Sequence, residues 1–112
     1  MMRRSATAVI ERNITWAGPF STEPWEVAWA REAIFFVRQL DAEDALLSTV
    51  LTARVQISPD GIRWVDEGGV LTFQGRQELA ALRVREFGGW LRLAGRVEGG
   101  STRVIVYLSL KE

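Results

Sequence analysis

The stretch that decides the fold is residues 49–66, TVLTARVQISPDGIRWVD. Apolar and polar side chains alternate along its first half, which is the period of a β-strand with one buried face. The sequence Ser58-Pro59-Asp60-Gly61 then predicts a tight turn, because Pro presets the first central backbone angle and Gly accepts a left-handed exit. We therefore predict a hairpin, with strands over residues 49–58 and 62–66.

Strand patterns continue towards the N-terminus. We predict a half-exposed edge strand over residues 8–16, ended by Gly18 and Pro19, and one central strand within residues 25–40 that is buried on both faces. The polar connection that follows allows a helical turn at residues 42–47.

Towards the C-terminus, glycine pairs separate the apolar runs. Residues 76–87 fit either a helix or a strand, and we favour a strand because the neighbouring segments have strand patterns. Residues 90–97 and 102–110 predict a closing hairpin around Gly99-Gly100. The whole pattern indicates an all-β fold, an antiparallel β-sandwich or jelly-roll-like barrel of about seven to eight strands.

Chain length and periodicity predict one domain. We place it at residues 9–112, because a chain of 112 residues has room for a single core. Residues 1–8 are polar and without periodicity, and we predict a flexible arm that orders on a partner.

Composition narrows the possible functions. Cysteine and histidine are absent, which excludes disulfides, Cys/His zinc sites, thiol nucleophiles and imidazole acid–base chemistry. Fourteen basic and fourteen acidic residues cancel, which argues against a nucleic-acid partner. No apolar run approaches the roughly 20 residues of a membrane-spanning helix, and the N-terminus lacks the apolar core of a signal peptide. We expect no membrane partner, no cofactor and no signal peptide.

Carboxylates are the remaining candidates for acid–base or metal chemistry. Asp41, Glu43 and Asp44 lack the ordered ligand spacing of a calcium site, so we interpret them as a solvated loop and expect no metal. Asp60 is expected to cap its own turn. A hydrolase that uses only Asp and Glu would need two carboxylates in one cleft, which no motif places together. We expect no catalytic residue and no enzyme activity.

Aromatic residues are candidates for a binding surface. Trp29 and Trp64 are expected in the core, because each lies within an alternating strand pattern. Trp16, Phe20 and Trp25 border or lie in the loop over residues 17–24. If they are exposed together, they would form a protein-interface anchor or a shelf for stacking sugars.

Arginines of the last strands are the second candidate surface. They alternate along the predicted strands, so we expect several of them to share one solvent face, which is either a soluble surface or a face that pairs with carboxylates of a neighbouring subunit. The residues are Arg83, Arg85, Arg92, Arg96 and Arg103.

Four motifs together resemble a known family. They are Ile34-Phe35-Phe36-Val37, Val55-Gln56-Ile57-Ser58-Pro59-Asp60-Gly61 with Trp64, Phe87-Gly88-Gly89-Trp90-Leu91-Arg92, and Gly99-Gly100-Ser101 before Val104-Ile105-Val106-Tyr107. In this order, over roughly residues 25–112, the chain resembles small β-sandwich proteins encoded among the structural genes of tailed bacteriophages. The resemblance implies a non-enzymatic virion accessory protein, either capsid-decorating or tail-associated. Such a protein is made in the host cytoplasm, forms a homo-oligomer and binds the major capsid or tail protein.

A second resemblance implies an alternative function. Ser58-Pro59-Asp60-Gly61-Ile62-Arg63-Trp64 and Trp90-Leu91-Arg92-Leu93 are similar to discoidin-type (coagulation factor 5/8 C) jelly rolls. Those domains bind sugars or lipid headgroups through loops at one end. The similarity implies a carbohydrate-binding module in which Trp16, Trp25 and the Asp60 turn would contact glycans.

Overall fold

The computed structural model describes residues 4–112, which form an antiparallel all-β fold. The strands are β1 (Ser5–Ser21), β2 (Trp25–Glu26), β3 (Glu32–Gln39), β4 (Val50–Ser58), β5 (Val65–Gln74), β6 (Leu79–Arg85) and β7 (Trp90–Lys111). A short 3₁₀-helix, Ala42–Asp44, lies between β3 and β4. The predicted fold class is confirmed, and so are the strand within residues 76–87 and the helical turn after β3.

One sheet folds over on itself around a long ribbon made of β1 and β7. Residues 90–98 of β7 pair with β4, which pairs with β5, and we call this half layer A. Residues 104–111 of β7 pair with β3, which pairs with β6, and we call this half layer B. β1 follows β7 along its other side through both layers. Gly69 of β5 lies beside Leu82 of β6, so the two outer strands approach each other and the sheet nearly closes into a barrel.

The corner between the layers lies at Gly99-Gly100. The predicted hairpin here is wrong, because β7 runs through these glycines as one strand and its two halves pair with other strands. Both glycines have positive φ, 76° and 149°. A Cβ on Gly99 would overlap the carbonyl oxygen of Ser48, and the Ser48 hydroxyl donates to the Gly99 carbonyl at 3.3 Å. Glycine is needed here for a backbone bend that lies against the next loop, and no reversal of the chain occurs.

Side chains from both layers meet in one core. Along β7 the buried positions are odd-numbered up to Val97 and even-numbered from Thr102, because the glycine corner shifts the alternation by one residue. The largest fully buried side chains are Phe35, Phe73, Leu51, Leu91, Leu93 and Leu108. Within residues 4–112, the helical structure includes no segment of the length and hydropathy needed to cross a membrane.

Two predictions for the first third of the chain need correction. Ser5 to Ala8, which we assigned to a flexible arm, begin β1 and pair with residues 108–111 of β7. Residues 1–3 of that predicted arm lie outside the described part of the chain. Gly18 and Pro19 do not end the strand, because a register shift between Trp16 and Gly18 lets β1 continue along β7.

Two further predicted strands have different limits in the structure. The single strand expected within residues 25–40 is two strands, because β2 pairs with β7 in layer A whereas β3 pairs with it in layer B. A turn closed by the bond from the Ala30 amide to the Val27 carbonyl, 2.9 Å, lies between them. The short strand expected at residues 62–66 is the start of the longer β5, because Gly68-Gly69 form a bulge opposite Val55 and the strand continues.

Glycine substitutions test the corner. Gly99→Ala places a methyl group both at positive φ and against Ser48, whereas Gly18→Ala has a similar φ of 66° but no atom within 4 Å of the added carbon. We expect Gly18→Ala to lower the free energy of unfolding by about 1–2 kcal/mol. Gly99→Ala should cost about 1–3 kcal/mol more, because of the added overlap. Urea denaturation measures both values, and equal losses would contradict the close approach of the corner to Ser48.

Candidate protein-interaction face

Trp16 does not contribute to an exposed anchor. Its side chain is buried, with 3% of its surface exposed, and its ring stacks on Phe20 with centroids 3.8 Å apart. Phe20 and Trp25 are half-buried and pack against the core. The predicted surface of Trp16, Phe20 and Trp25 is therefore wrong for Trp16. The sugar-stacking shelf built on Trp16 and Trp25 does not form, because a buried ring cannot stack on a glycan.

The five arginines do not share one face. Arg92 and Arg96 point outward from layer A, opposite Gln56 and Thr52 of β4. The others, Arg83, Arg85 and Arg103, belong to layer B. Three of the five thus lie in one layer and two in the other, because consecutive segments that look like neighbouring strands belong to different layers.

Arg92 belongs to a polar network on layer A. Its guanidinium lies 4.3 Å from the ring centroid of Trp64, and its Nε donates to Gln56 Oε1 at 2.8 Å. Gln56 in turn donates to Asp66 at 3.0 Å, and Arg54 lies 3.7 Å from the same carboxylate. Partial burial lowers the pKa of Arg92 from its ordinary value. Trp64, which we predicted in the core, lies half-buried in the loop before β5 and outside the core cluster, where the Arg92 guanidinium covers its ring and holds this loop against the sheet.

The outward surface of layer B has a different character. Cross-strand register places Val9, Tyr107, Phe36 and Ala81 in one row across four strands. Ile34 belongs to the neighbouring row on one side. Ile105 and Leu79 belong to the neighbouring row on the other side. Val9, Ile34, Phe36, Ile105 and Tyr107 are half-buried by one another, and Leu79 is 53% exposed. We call these six residues, Val9, Ile34, Phe36, Leu79, Ile105 and Tyr107, the layer B apolar band.

Basic side chains border the layer B apolar band, and one of them, Arg38, lies between Ile105 and Leu79 in the same row. The outward positions of the same four strands carry five basic residues and one acidic residue: Arg38, Arg83, Arg85, Arg103 and Lys111, with Glu32. Arg85 pairs with Glu32 at 3.4 Å, Arg38 with Glu78 at 3.8 Å, and Arg103 with Asp41. Arg83 and Lys111 form no ion pair with another residue of the described chain. The face therefore combines an apolar centre with excess positive charge.

The strand pattern contained part of the signal for this face. Residues 33–37 form a strand whose side chains are buried on one face, and Ile34 and Phe36 lie on the other, so our expectation of burial on both faces is wrong. In the last strand, Ile105 and Tyr107 occupy the side opposite the buried valines and leucines. Large apolar residues on the solvent side of two strands mark a binding surface only once the strands are known to be neighbours.

The Ser58–Gly61 turn is a structural unit. Asp60 Oδ1 accepts hydrogen bonds from the amides of Ile62 and Arg63, both at 2.8 Å, and Oδ2 accepts one from the Arg63 guanidinium at 2.8 Å. The buried Ser58 hydroxyl donates to the same carboxylate at 3.0 Å. The backbone bonds from Arg63 and Ile62, helped by its side-chain partners, lower the pKa of Asp60 to about 2. The predicted capping role of Asp60 is confirmed.

A small open cavity lies at the end of layer B. Its volume is about 210 Å³, and its lining includes Gln39, Asp41, Asp44, Thr102 and Arg103. Buried Gln39 accepts from Thr102 at 2.6 Å and donates to the carbonyls of Gly75 and Gln77, so its hydrogen-bonding groups are occupied. Residues 4–112 contain no cluster of three or more potential metal-ligating acidic side chains.

Comparison with known structures shows where this fold recurs. No model of a known protein family matches the chain, and no curated protein matches it significantly. The chain is similar to the PBSX exported protein XepA, with a TM-score of 0.69 and 10% identity over 94% of this chain. It spans 36% of the length of XepA. It is also similar to the SPBc2 prophage-derived protein YomS, with a TM-score of 0.68 and 8% identity, over 100% of this chain and 96% of YomS.

At these identities the similarity shows the fold. A β-sandwich of this size thus recurs within XepA and across nearly all of YomS. Both structural neighbours are proteins of phage or prophage origin, which agrees with the predicted resemblance to phage-encoded β-sandwich proteins. Neither neighbour is described as a capsid-decoration protein.

Asp60 makes the stability of the turn depend on pH. The folded-state pKa of about 2 lies below the ordinary 3.8, so the carboxylate adds stability that is fully present above about pH 4–5 and is lost as the pH falls towards 2. We expect Asp60→Asn to be less stable than the wild-type protein at pH 6, and the difference to shrink between pH 4 and pH 2. Urea denaturation across this range measures it, and a difference that does not change with pH would contradict the assigned bonds.

Proposed function

We propose that this chain is a non-enzymatic structural accessory protein of a phage-type particle. In this role it decorates or stabilises a capsid, or associates with a tail, by protein–protein contacts. The observation that carries the proposal is the layer B face, where an apolar band within a basic rim lies on a fold that recurs in phage-derived proteins. Fold similarity alone does not give a function, so the face is the principal argument.

The physical character of the face fits this role. Antiparallel strands lie about 4.8 Å apart and successive outward residues about 6.8 Å, so four strands and four rows give a face of roughly 500 Å². A stable pairwise interface buries about 800 Å² on each partner. A single contact through this face is therefore weak. An oligomer of the chain that places several such faces on a repeating lattice at once would be retained by avidity.

A chemical role receives less support from the residues. The sequence has no Cys or His. The pKa of the Asp60 carboxyl is lowered, whereas a general acid at neutral pH needs a raised pKa. One of its oxygens also accepts hydrogen bonds from two backbone amides of the turn. The protein acts through its surface, at the virion, and it assembles there with other copies of itself on the major capsid or tail protein.

Co-sedimentation with particles tests the proposed function. The tagged chain is added to purified capsids or tails encoded by the same phage or prophage, and the mixture is separated on a density gradient. We expect the chain in the particle fraction at a reproducible stoichiometry, and at the top of the gradient when particles are omitted. A chain that stays at the top with both heads and tails would contradict the proposal.

A further inference from the structure

We propose that the layer B face docks on a carboxylate-bearing protein surface with an apolar centre, and not on a second copy of this chain. The inference rests on the proposed function and adds the chemistry of the partner.

The charge of the layer B face favours an acidic partner. Within the rim, Glu32, Glu78 and Asp41 are each already paired with an arginine. The face has five basic residues against these three acids, which leaves an excess of two positive charges. Arg83 and Lys111, which form no ion pair in the described chain, account for this excess. Arg83 is next to the layer B apolar band, opposite Ile34, and Lys111 is opposite Glu32 at one end. Carboxylates of a partner would meet these two cations while the apolar centres exclude water.

The charge and the area of the layer B face both disfavour self-pairing through it. In a twofold dimer each surface meets its own copy, so the excess positive charge of one face would lie against that of the other. The roughly 500 Å² of the face is also less than a stable dimer buries on each subunit. Any homo-oligomer therefore forms through other surfaces and leaves the layer B face free for its partner.

The outward surface of layer A differs from that of layer B. Its outward rows are polar, with Thr72, Thr52 and Arg96 in one row and Asp66, Gln56 and Arg92 in another. Acidic and basic side chains are mixed there, and Arg54 and Arg92 are engaged with Asp66 and Gln56. Layer A thus has neither a continuous apolar centre nor the same unmatched charge, and it provides matched control positions on the same molecule.

Charge reversal on the two layers separates the face from the rest of the surface. Arg83→Glu and Arg96→Glu make the same change in net charge at exposed positions without an ion pair in the described chain. Particle binding is measured by gradient co-sedimentation between 50 and 300 mM NaCl, with the values chosen to span the screening range. We expect Arg83→Glu to weaken binding about tenfold at the low salt and less at the high salt, whereas Arg96→Glu stays within about twofold.

A second pair of variants tests the apolar centre. Phe36→Thr removes the ring from the layer B apolar band and keeps a residue that favours strands. Val70→Thr is the control for replacing an apolar residue by Thr, with a smaller change in size, at an exposed position of β5. We expect at least about a tenfold loss of particle binding for Phe36→Thr and little change for Val70→Thr. Circular dichroism and light scattering on each variant check that fold and self-association are unchanged.

Each outcome decides between the inference and the function beneath it. If the wild-type chain sediments with particles but the layer A and layer B variants bind equally, the inference is wrong and the proposed function stands. If Arg83→Glu or Phe36→Thr changes the oligomer mass while control variants do not, the face is a self-interface and the inference is also wrong. If the wild-type chain does not bind particles at all, the proposed function fails.

Discussion

The interaction on which this structure depends is the continuous pairing of β7 with β1 through both layers. β7 has 22 residues and serves as the shared strand of each layer, with β4 beside its first half and β3 beside its second. The ribbon continues from one layer into the other because Gly99 and Gly100 adopt positive φ angles that other residues rarely adopt. The hydroxyls of Ser48 and Thr49 donate to the Gly99 carbonyl and stabilise this bend. Without this corner, the two halves of the core would have no common strand.

The proposed interaction face follows from the same pairing. Once β7 continues into layer B, its alternation places Tyr107 between Val9 of β1 and Phe36 of β3, and β6 adds Ala81 to the row. These residues are distant in sequence, and register alone brings them together. Cross-strand aromatic and aliphatic pairs of this kind also stabilise the sheet, by about 0.2–1 kcal/mol each. The layer B face is therefore built on paired strands of the sheet and not on loops.

Sequence periodicity predicted the strands better than it predicted their connections. Period-two alternation placed β4, β6 and both halves of β7, because a half-buried strand imposes that pattern directly. The sequence predicts a hairpin turn at Gly99-Gly100 and the end of a strand before Gly68-Gly69, whereas the structure has a corner and a bulge there. Local composition does not distinguish these uses, since all need the same backbone freedom. Trp16 was expected near the surface because of the loop predicted after it, yet β1 continues and buries it. Grouping the arginines required strand order, which only tertiary structure supplies.

The layer assignment of β7 can be measured directly by cross-strand nuclear Overhauser effects in isotope-labelled protein. Paired residues in antiparallel strands have Cα atoms about 4.5–5.5 Å apart, close enough for strong contacts between backbone protons. The continuous strand predicts contacts of Arg96 with Thr52, of Tyr107 with Phe36, and of Thr102 with Trp16. Contacts between residues 90–97 and residues 102–110 of the same chain would instead show a hairpin at Gly99-Gly100, and would contradict both the two-layer core and the interaction face built on it.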